Sequence, residues 1–452
     1  MKLTISDPVL VHAPEMNEAI SHWGVYAIPR MWREPSGELV VRFNGEEDSS
    51  DFDNLYKAPN LYFTSRDDGE TWELCENGEE LYSLSVLTGI DPPYRKLSNG
   101  DTVYVKSVWG LPPITDTPYR KEFLSTNKAE ILHTYRYGDI PKECRRVLFG
   151  RIKGSNGSRE EFETNIAFPE REIYVVSHAK SEKTYIKVEE WVQASVFRLP
   201  YFSAVCELKD GELAAVCCGQ NPDVSDRYCS EVYLITSSDG GHTWKKRSTV
   251  AGGYTELPFG YSADGNEVSL AIDKSGDLYC VMRMDGSIVE PHPTDTMLCI
   301  SRDNGYTWSS PRPIADSSVT PHIIALGDAL LTIYGRPGVH VKYSKDHGET
   351  WSQSYPIIGK TLDEERAEGR SDSDSKYGHP YSYANTFWER ISDNEIILLY
   401  NDLRYPDKNG VPTKAAFVRK IKVADGKTIA KDGVLVQNLK DNSCQTLKLI
   451  KK

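Results

Sequence analysis

Ser65-Arg66-Asp67-Asp68-Gly69-Glu70-Thr71-Trp72 recurs as Ser237-Ser238-Asp239-Gly240-Gly241-His242-Thr243-Trp244, as Ser301-Arg302-Asp303-Asn304-Gly305-Tyr306-Thr307-Trp308, and as Ser344-Lys345-Asp346-His347-Gly348-Glu349-Thr350-Trp351. The shared pattern is S-x-D-x-G-x-T-W, and each position has a physical reason. The Ser and Asp side chains can cap turn amides, the Gly accepts a positive φ, and the Trp opens the next strand as an apolar plug. This is the chemistry of a tight turn between antiparallel strands.

Upstream of the copies lie β-rich segments such as Leu61-Tyr62-Phe63 and Glu231-Val232-Tyr233-Leu234-Ile235, as such a turn requires. A four-stranded blade takes roughly 40 to 50 residues. The copies starting at 301 and 344 are therefore successive blades, and those starting at 237 and 301 are successive blades with one longer loop. The first and second copies are too far apart to be neighbours, so a degenerate blade is expected between them, within Leu84 to Tyr135 around Thr102-Val103-Tyr104-Val105. A last blade without the turn is expected from Tyr383 to Val423, around Glu395-Ile396-Ile397-Leu398-Leu399-Tyr400. The reading is all-β: one six-bladed β-propeller of four-stranded antiparallel blades over residues 1–452, with blades near 24–75, 84–135, 191–246, 265–310, 319–354 and 379–424.

Composition agrees with such a chain. Hydrophobic residues at 39% and charged residues at 26% are globular values. The net charge of -13 disfavours nucleic acid as a partner and means that any anionic ligand must be held by local arginines against the overall field. Met1 to Glu15 holds one Lys and no apolar run of signal-peptide length, and no window approaches a membrane span, so a cytoplasmic protein without membrane attachment is expected. The 9 cysteines are odd in number and lack C-x-x-C spacing, which speaks for reduced thiols. No motif implies a cofactor or metal, and the acidic run near Asp48 lacks the glycine placement and ligand spacing of a calcium loop. The sequence says nothing of oligomeric state.

The repeats and their linking segments, from about Trp23 to Tyr400, resemble the sialidase (neuraminidase) superfamily, in which these turns are called Asp boxes and lie on the blade rim. The resemblance implies an axial site with three arginines on the sugar carboxylate, a Tyr nucleophile paired with a Glu, and a loop Asp as acid/base. The chemistry explains those types. Cleaving a ketosidic bond beside a carboxylate builds an oxocarbenium-like state next to a fixed negative charge, so bidentate arginines must hold the carboxylate. A neutral Tyr can attack there without the repulsion a carboxylate would meet.

Asn266-Glu267-Val268-Ser269-Leu270 followed by Gly276-Asp277-Leu278-Tyr279-Cys280-Val281-Met282-Arg283 resembles the family segment with the Glu and the second arginine, giving Glu267 and Arg283. Arg336, between Gly335 and Pro337, stands where the family has its third arginine. Tyr383 stands where the nucleophile falls, with Tyr381 as its rival two residues away. The first-blade segment Trp23-Gly24-Val25-Tyr26-Ala27-Ile28-Pro29 departs from the family, because Ala27 replaces its arginine. Arg30 should point to the opposite face, and Arg42 on the next strand is the candidate substitute. Within Asn44 to Asp53 the acid/base is expected to be Asp51, with Asp48 and Asp53 beside it in a cluster whose mutual repulsion would raise one pKa. His322 and His379 are read as structural. The implied activity is exo-acting, retaining release of a terminal acidic sugar, sialic acid or a relative, from a glycoconjugate. A carbohydrate-active enzyme for a different sugar and a non-catalytic glycan- or protein-binding propeller remain as alternatives.

Overall fold

The computed structural model describes residues 2–13, 29–34, 36–44, 60–82, 95–107, 125–127, 132–136, 148–164, 166–167, 174–178, 205–220, 230–252, 265–284, 295–317, 319–335, 337–361, 364, 367–368, 381–382, 384–406, 410 and 412–424. They form six antiparallel blades around an axis, as the repeats require. Blade 1 is Arg30–Arg33, Leu39–Asn44, Asn60–Ser65 and Glu73–Leu74, from the innermost strand outward. Blade 3 is Cys206–Glu207, Leu213–Gln220, Ser230–Ser237 and Trp244–Ala251, blade 4 is Gly265–Ile272, Leu278–Met284, Thr296–Ser301 and Arg312–Ala315, and blade 5 is Val319–Leu326, Ala329–Gly335, Val339–Ser344 and Tyr355–Ile358. No helix among the described residues is long and apolar enough to cross a membrane.

Two blades differ in detail from the sequence reading. Blade 2 extends beyond Tyr135: its strands are Arg95–Lys96, Thr102–Ser107, Leu148–Lys153 and Arg159–Thr164. Ser125–Asn127 and Leu132–Arg136 pair instead with Tyr174–His178 in a separate three-stranded sheet. Blade 6 takes only three strands from the C-terminal part of the chain, Phe387–Ser392, Glu395–Pro406 and Pro412–Ala424. Its outermost position is filled by Lys2–Ile5, which pairs with Ile421 to Ala424 and is continued by Val9–His12. The N-terminal strand thus fastens the ring to its own far end, a pairing invisible to a search for local repeats.

The apolar cores lie between blades, because alternate residues of a strand face opposite neighbours. On Leu278–Met284, the side chains of Leu278, Cys280 and Met282 pack toward blade 3, and Tyr279 and Val281 pack toward blade 5. Met31 and Val41 meet Phe387, Ile397 and Leu399 between blades 1 and 6, and Trp32 and Val40 meet Tyr104 between blades 1 and 2. Cys217, Cys280 and Cys299 are buried in these cores.

Blades 1, 3, 4 and 5 carry the Asp boxes, each between its two outer strands. All four have the same bonds. In the first, Ser65 Oγ donates to Asp67 Oδ1 and accepts from the Gly69 amide, while the Thr71 amide and hydroxyl donate to the two oxygens of Asp67 at 2.9 and 2.6 Å. In the fourth, the Thr350 amide and hydroxyl reach Asp346 at 2.9 and 2.5 Å. The hydroxyl and then the amide of this Thr pull the carboxyls of Asp67 and Asp346 down to about 2. The glycine has a positive φ in all four boxes, and in the third a second constraint is added. Gly305 has a φ of 85°, and a Cβ there would lie 2.1 Å from Leu234 of the neighbouring blade.

Candidate active site

Within every blade the innermost strand begins at one end of the ring, here called the entry end, and the Asp boxes lie at the other. The sequence candidates that fall in described residues gather at the entry end. Glu267 is the third residue of the inner strand of blade 4, and Arg283 lies near the end of the adjacent strand. Arg283 Nη1 donates to Glu267 Oε2 at 3.2 Å, with the two side chains 25% and 21% exposed, so the pair is open to a ligand yet shielded from bulk water.

A local irregularity aims that carboxylate. The register between the two inner strands of blade 4 breaks between Asn266 and Ser269, and Glu267 in the break has a φ of 44°. Blade 5 repeats the device: its register breaks between Val319 and His322, with Thr320 at a φ of 45°. Thr320 donates its amide to Glu267 Oε2 at 2.7 Å and its hydroxyl to the carbonyl of Ala384, which has a φ of 58° just before blade 6. Bulges of this kind re-aim side chains.

Tyr383, Arg336, Asp48, Asp51 and Asp53, together with Ala27, lie outside the described residues. The neighbours of the first two are well placed. Ser382 and Ala384 flank Tyr383 and are buried; Ser382 Oγ donates to Asn401 at 2.5 Å and accepts from the Ala384 amide at 3.1 Å. Gly335, which precedes Arg336, sits where a Cβ would be 2.2 Å from that of Ala384. The loop carrying Arg336 and the segment carrying Tyr383 are therefore in close backbone contact, which only glycine permits. Tyr381 is 4% exposed, under the Arg404 guanidinium at 3.9 Å, with its carbonyl bonded to the Leu403 amide.

In blade 1, Arg42 is half-buried and directly opposite Arg30 across the strand pair, so both arginines share one face. Arg30 is 4% exposed, and its guanidinium lies 4.9 Å from the ring of Phe387 in blade 6. Sequence reasoning nominated Arg42 and set Arg30 aside on its distance from position 27. The register partnership that joins them appears only once the strands are paired. Thr320 and Ala384 were missed as well, because nothing in a Thr or an Ala announces a positive φ.

The inner strands also line the axis. His322 of blade 5 is buried with Nε2 3.0 Å from the Thr386 carbonyl oxygen, and burial pushes its pKa down to about 4; His379 lies outside the described residues. Glu389 of blade 6 is fully buried, and the loss of solvent raises its pKa to about 7 against the opposing pull of Arg95, Arg33 and Arg390.

Among the described residues, one group could share a metal ion: Asp273, Asp277 and His347, whose ligand atoms lie within 4.8 Å. Its atoms are already engaged. Asp273 accepts from the Tyr279 hydroxyl, Ser275 and the Asp277 amide and contacts His347 Nδ1 at 3.0 Å, while Asp277 is paired with Arg302. The group is far from the entry end and latches the box of blade 5 to blade 4.

The fold and repeated turns define the class: a six-bladed Asp-box propeller with one polar, asymmetric end. Residues 202–402 match the family model described as "BNR repeat-like domain". That stretch runs from blade 3 into blade 6 of the propeller. Comparison with curated proteins gives no match. Among solved structures, a protein of unknown function from Dyadobacter fermentans DSM 18053 is similar at a TM-score of 0.57 and 15% identity, covering 93% of this chain and 99% of that one. The Hadza microbial sialidase Hz136 is similar at a TM-score of 0.46 and 15% identity, covering 91% and 67%. The Penicillium chrysogenum α-L-arabinanase complexed with arabinobiose is similar at 0.47 and 12% identity, covering 92% and 98%. At such identities the likeness is one of fold, and a fold does not fix a reaction.

Proposed function

We propose that the protein is an exo-acting, retaining glycoside hydrolase that releases a terminal acidic sugar, sialic acid or a close relative, from a glycoconjugate. Tyr383 is the nucleophile, Glu267 takes the phenol proton, and an Asp of the 48–53 loop, Asp51 first, protonates the departing oxygen and then activates water. Arg283, Arg336 and Arg42 hold the carboxylate, with Asp48 and Asp53 beside the acid/base.

The observation that carries this reading is the Glu267 carboxylate. It is held by Arg283 and by the Thr320 amide through one oxygen, Oε2, and Thr320 in turn bonds the backbone next to Tyr383. These bonds hold the carboxylate in place through that oxygen, which leaves Oε1 to face a ligand or the phenol. A base acting on a nearby phenol needs that arrangement. The packing of Tyr381 supports Tyr383 as the reactive one of the two.

A second reading has one observation in its favour. Ala27 stands where the superfamily has an arginine, while Arg30 and Arg42 share one face of the two inner strands of blade 1. A carboxylate held from there would sit differently, which suits a different acidic sugar. Hydrolysis of a fluorogenic aryl α-sialoside beside uronic and neutral aryl glycosides, by the wild type and by Tyr383→Phe, tests both. Release from the sialoside that is lost in the variant is expected; activity confined to another glycoside would move the assignment to the second reading, and no release from any would remove the hydrolase reading for these sugars.

A further inference from the structure

Thr320 has a conformation that its residue type resists. A β-branched residue at a φ of 45° is an outlier, and such a position costs on the order of 1–3 kcal/mol unless its surroundings hold it. Here they do. The side chain is 2% exposed, the bulge removes its amide from the strand ladder, and both freed groups go to specific partners: the amide to Glu267 Oε2 at 2.7 Å and the hydroxyl to the Ala384 carbonyl. Those partners stand in the blades on either side, and both have positive φ themselves, 44° at Glu267 and 58° at Ala384. Three successive blades thus each present one strained, non-glycine residue at the entry end, and the three are joined by two hydrogen bonds.

We propose that Thr320 is a positioning residue that sets the distance between Glu267 and the backbone carrying Tyr383. The inference rests on the hydrolase reading for its consequence and on geometry for its substance. The amide bond fixes one oxygen of Glu267, and the hydroxyl bond fixes the carbonyl one residue beyond Tyr383. Among the described residues, Thr320 thus bonds both to Glu267 and to the backbone next to Tyr383. The strain explains why a rigid connection is kept: relaxing Thr320 to an extended conformation would return its amide to the ladder and release Glu267.

Thr320→Val keeps the branched shape and the amide and removes only the hydroxyl. The expected result is a kcat on the preferred aryl glycoside lower by about 10- to 100-fold, as small misplacements of reacting groups cause, with KM within about twofold of wild type. Thr320→Ser, which restores the hydroxyl, is expected to recover most of that loss. A purely structural role would lower both variants alike and follow their melting temperatures. Crystal structures of the wild type and Thr320→Val give a readout independent of turnover: the Ala384 carbonyl is expected to move away from residue 320 while the Glu267 bond to the residue 320 amide remains. A Thr320→Val enzyme with wild-type kcat overturns the proposal. If the wild type hydrolyses nothing, the hydrolase reading fails on its own, and an unmoved 382–385 segment in Thr320→Val would still overturn the role assigned to Thr320.

Discussion

Positive-φ residues other than glycine occur at both ends of the blades, and the two sets differ in kind. In the Asp boxes they are Asp68, Asn304 and His347, with φ of 54°, 61° and 56°, each followed by a positive-φ glycine. Asn, Asp and His are the types that tolerate the left-handed region best, so these turns adopt what their sequence favours. At the entry end the residues are Glu267, Thr320 and Ala384, none of which favours it. Repetition with suitable residues marks a structural device; the same backbone state imposed on unsuitable residues marks a place where geometry was kept at a cost in stability.

The largest effect is expected from separating the two ends by activity. Glu267→Gln leaves the fold intact and should lower kcat/KM on the preferred aryl glycoside by about 100- to 10,000-fold, the usual range for a lost general base, with the melting temperature nearly unchanged. A variant with both activity and stability lost together would erase the contrast. At the opposite end, Gly305→Ala should destabilise by about 3 kcal/mol, because it combines a left-handed conformation with overpacking against Leu234, and should leave the kcat of the folded fraction alone. Urea denaturation beside initial rates separates these outcomes.

Between the ends, Glu389 gives a pH signature. Its folded pKa of about 7 lies above the ordinary 4.5, with burial as the main cause. The folded state therefore binds this proton more tightly than the unfolded chain. The resulting stability is fully present below pH 4.5 and is lost as pH rises through 7, by up to about 3 kcal/mol. Glu389→Gln should remove that dependence, so its urea midpoint should exceed wild type at pH 8 and match it near pH 4.5. The smallest expected effect is at an exposed box. Asp346 has its carboxyl pulled to about 2, so its contribution is present above the ordinary carboxylate range and is lost as pH falls through 2. Asp346→Asn should cost about 1 kcal/mol at pH 7, given its exposure, and converge with wild type in acid.

The fold was legible because four box turns repeat one local chemistry and leave countable gaps. What escaped was non-local: Lys2–Ile5 closing blade 6 through residues at the far end of the chain, and Leu148–Lys153 and Arg159–Thr164 completing blade 2 past an intervening sheet. The same division holds for the site. Glu267 and Arg283 could be read because they lie within one hairpin whose segments resemble a known family, and the structure joins them at 3.2 Å. Thr320, Ala384 and the Arg30–Arg42 partnership could not, since strained backbone and strand register leave no mark on residue type. Tyr383, Arg336 and the Asp48, Asp51 and Asp53 cluster fall outside the described residues and stand on the sequence reading and on their neighbours.

The most direct test of the mechanism is intact-protein and peptide mass spectrometry after incubation with a 2,3-difluorinated sialic acid, a slow substrate that lets a covalent glycosyl-enzyme accumulate. A single adduct on the peptide containing Tyr383, absent in Tyr383→Phe, is the predicted result. Protein that turns over sialosides yet remains unlabelled, or an adduct on a carboxylate, would contradict the assignment of the entry end as a tyrosine-based retaining site.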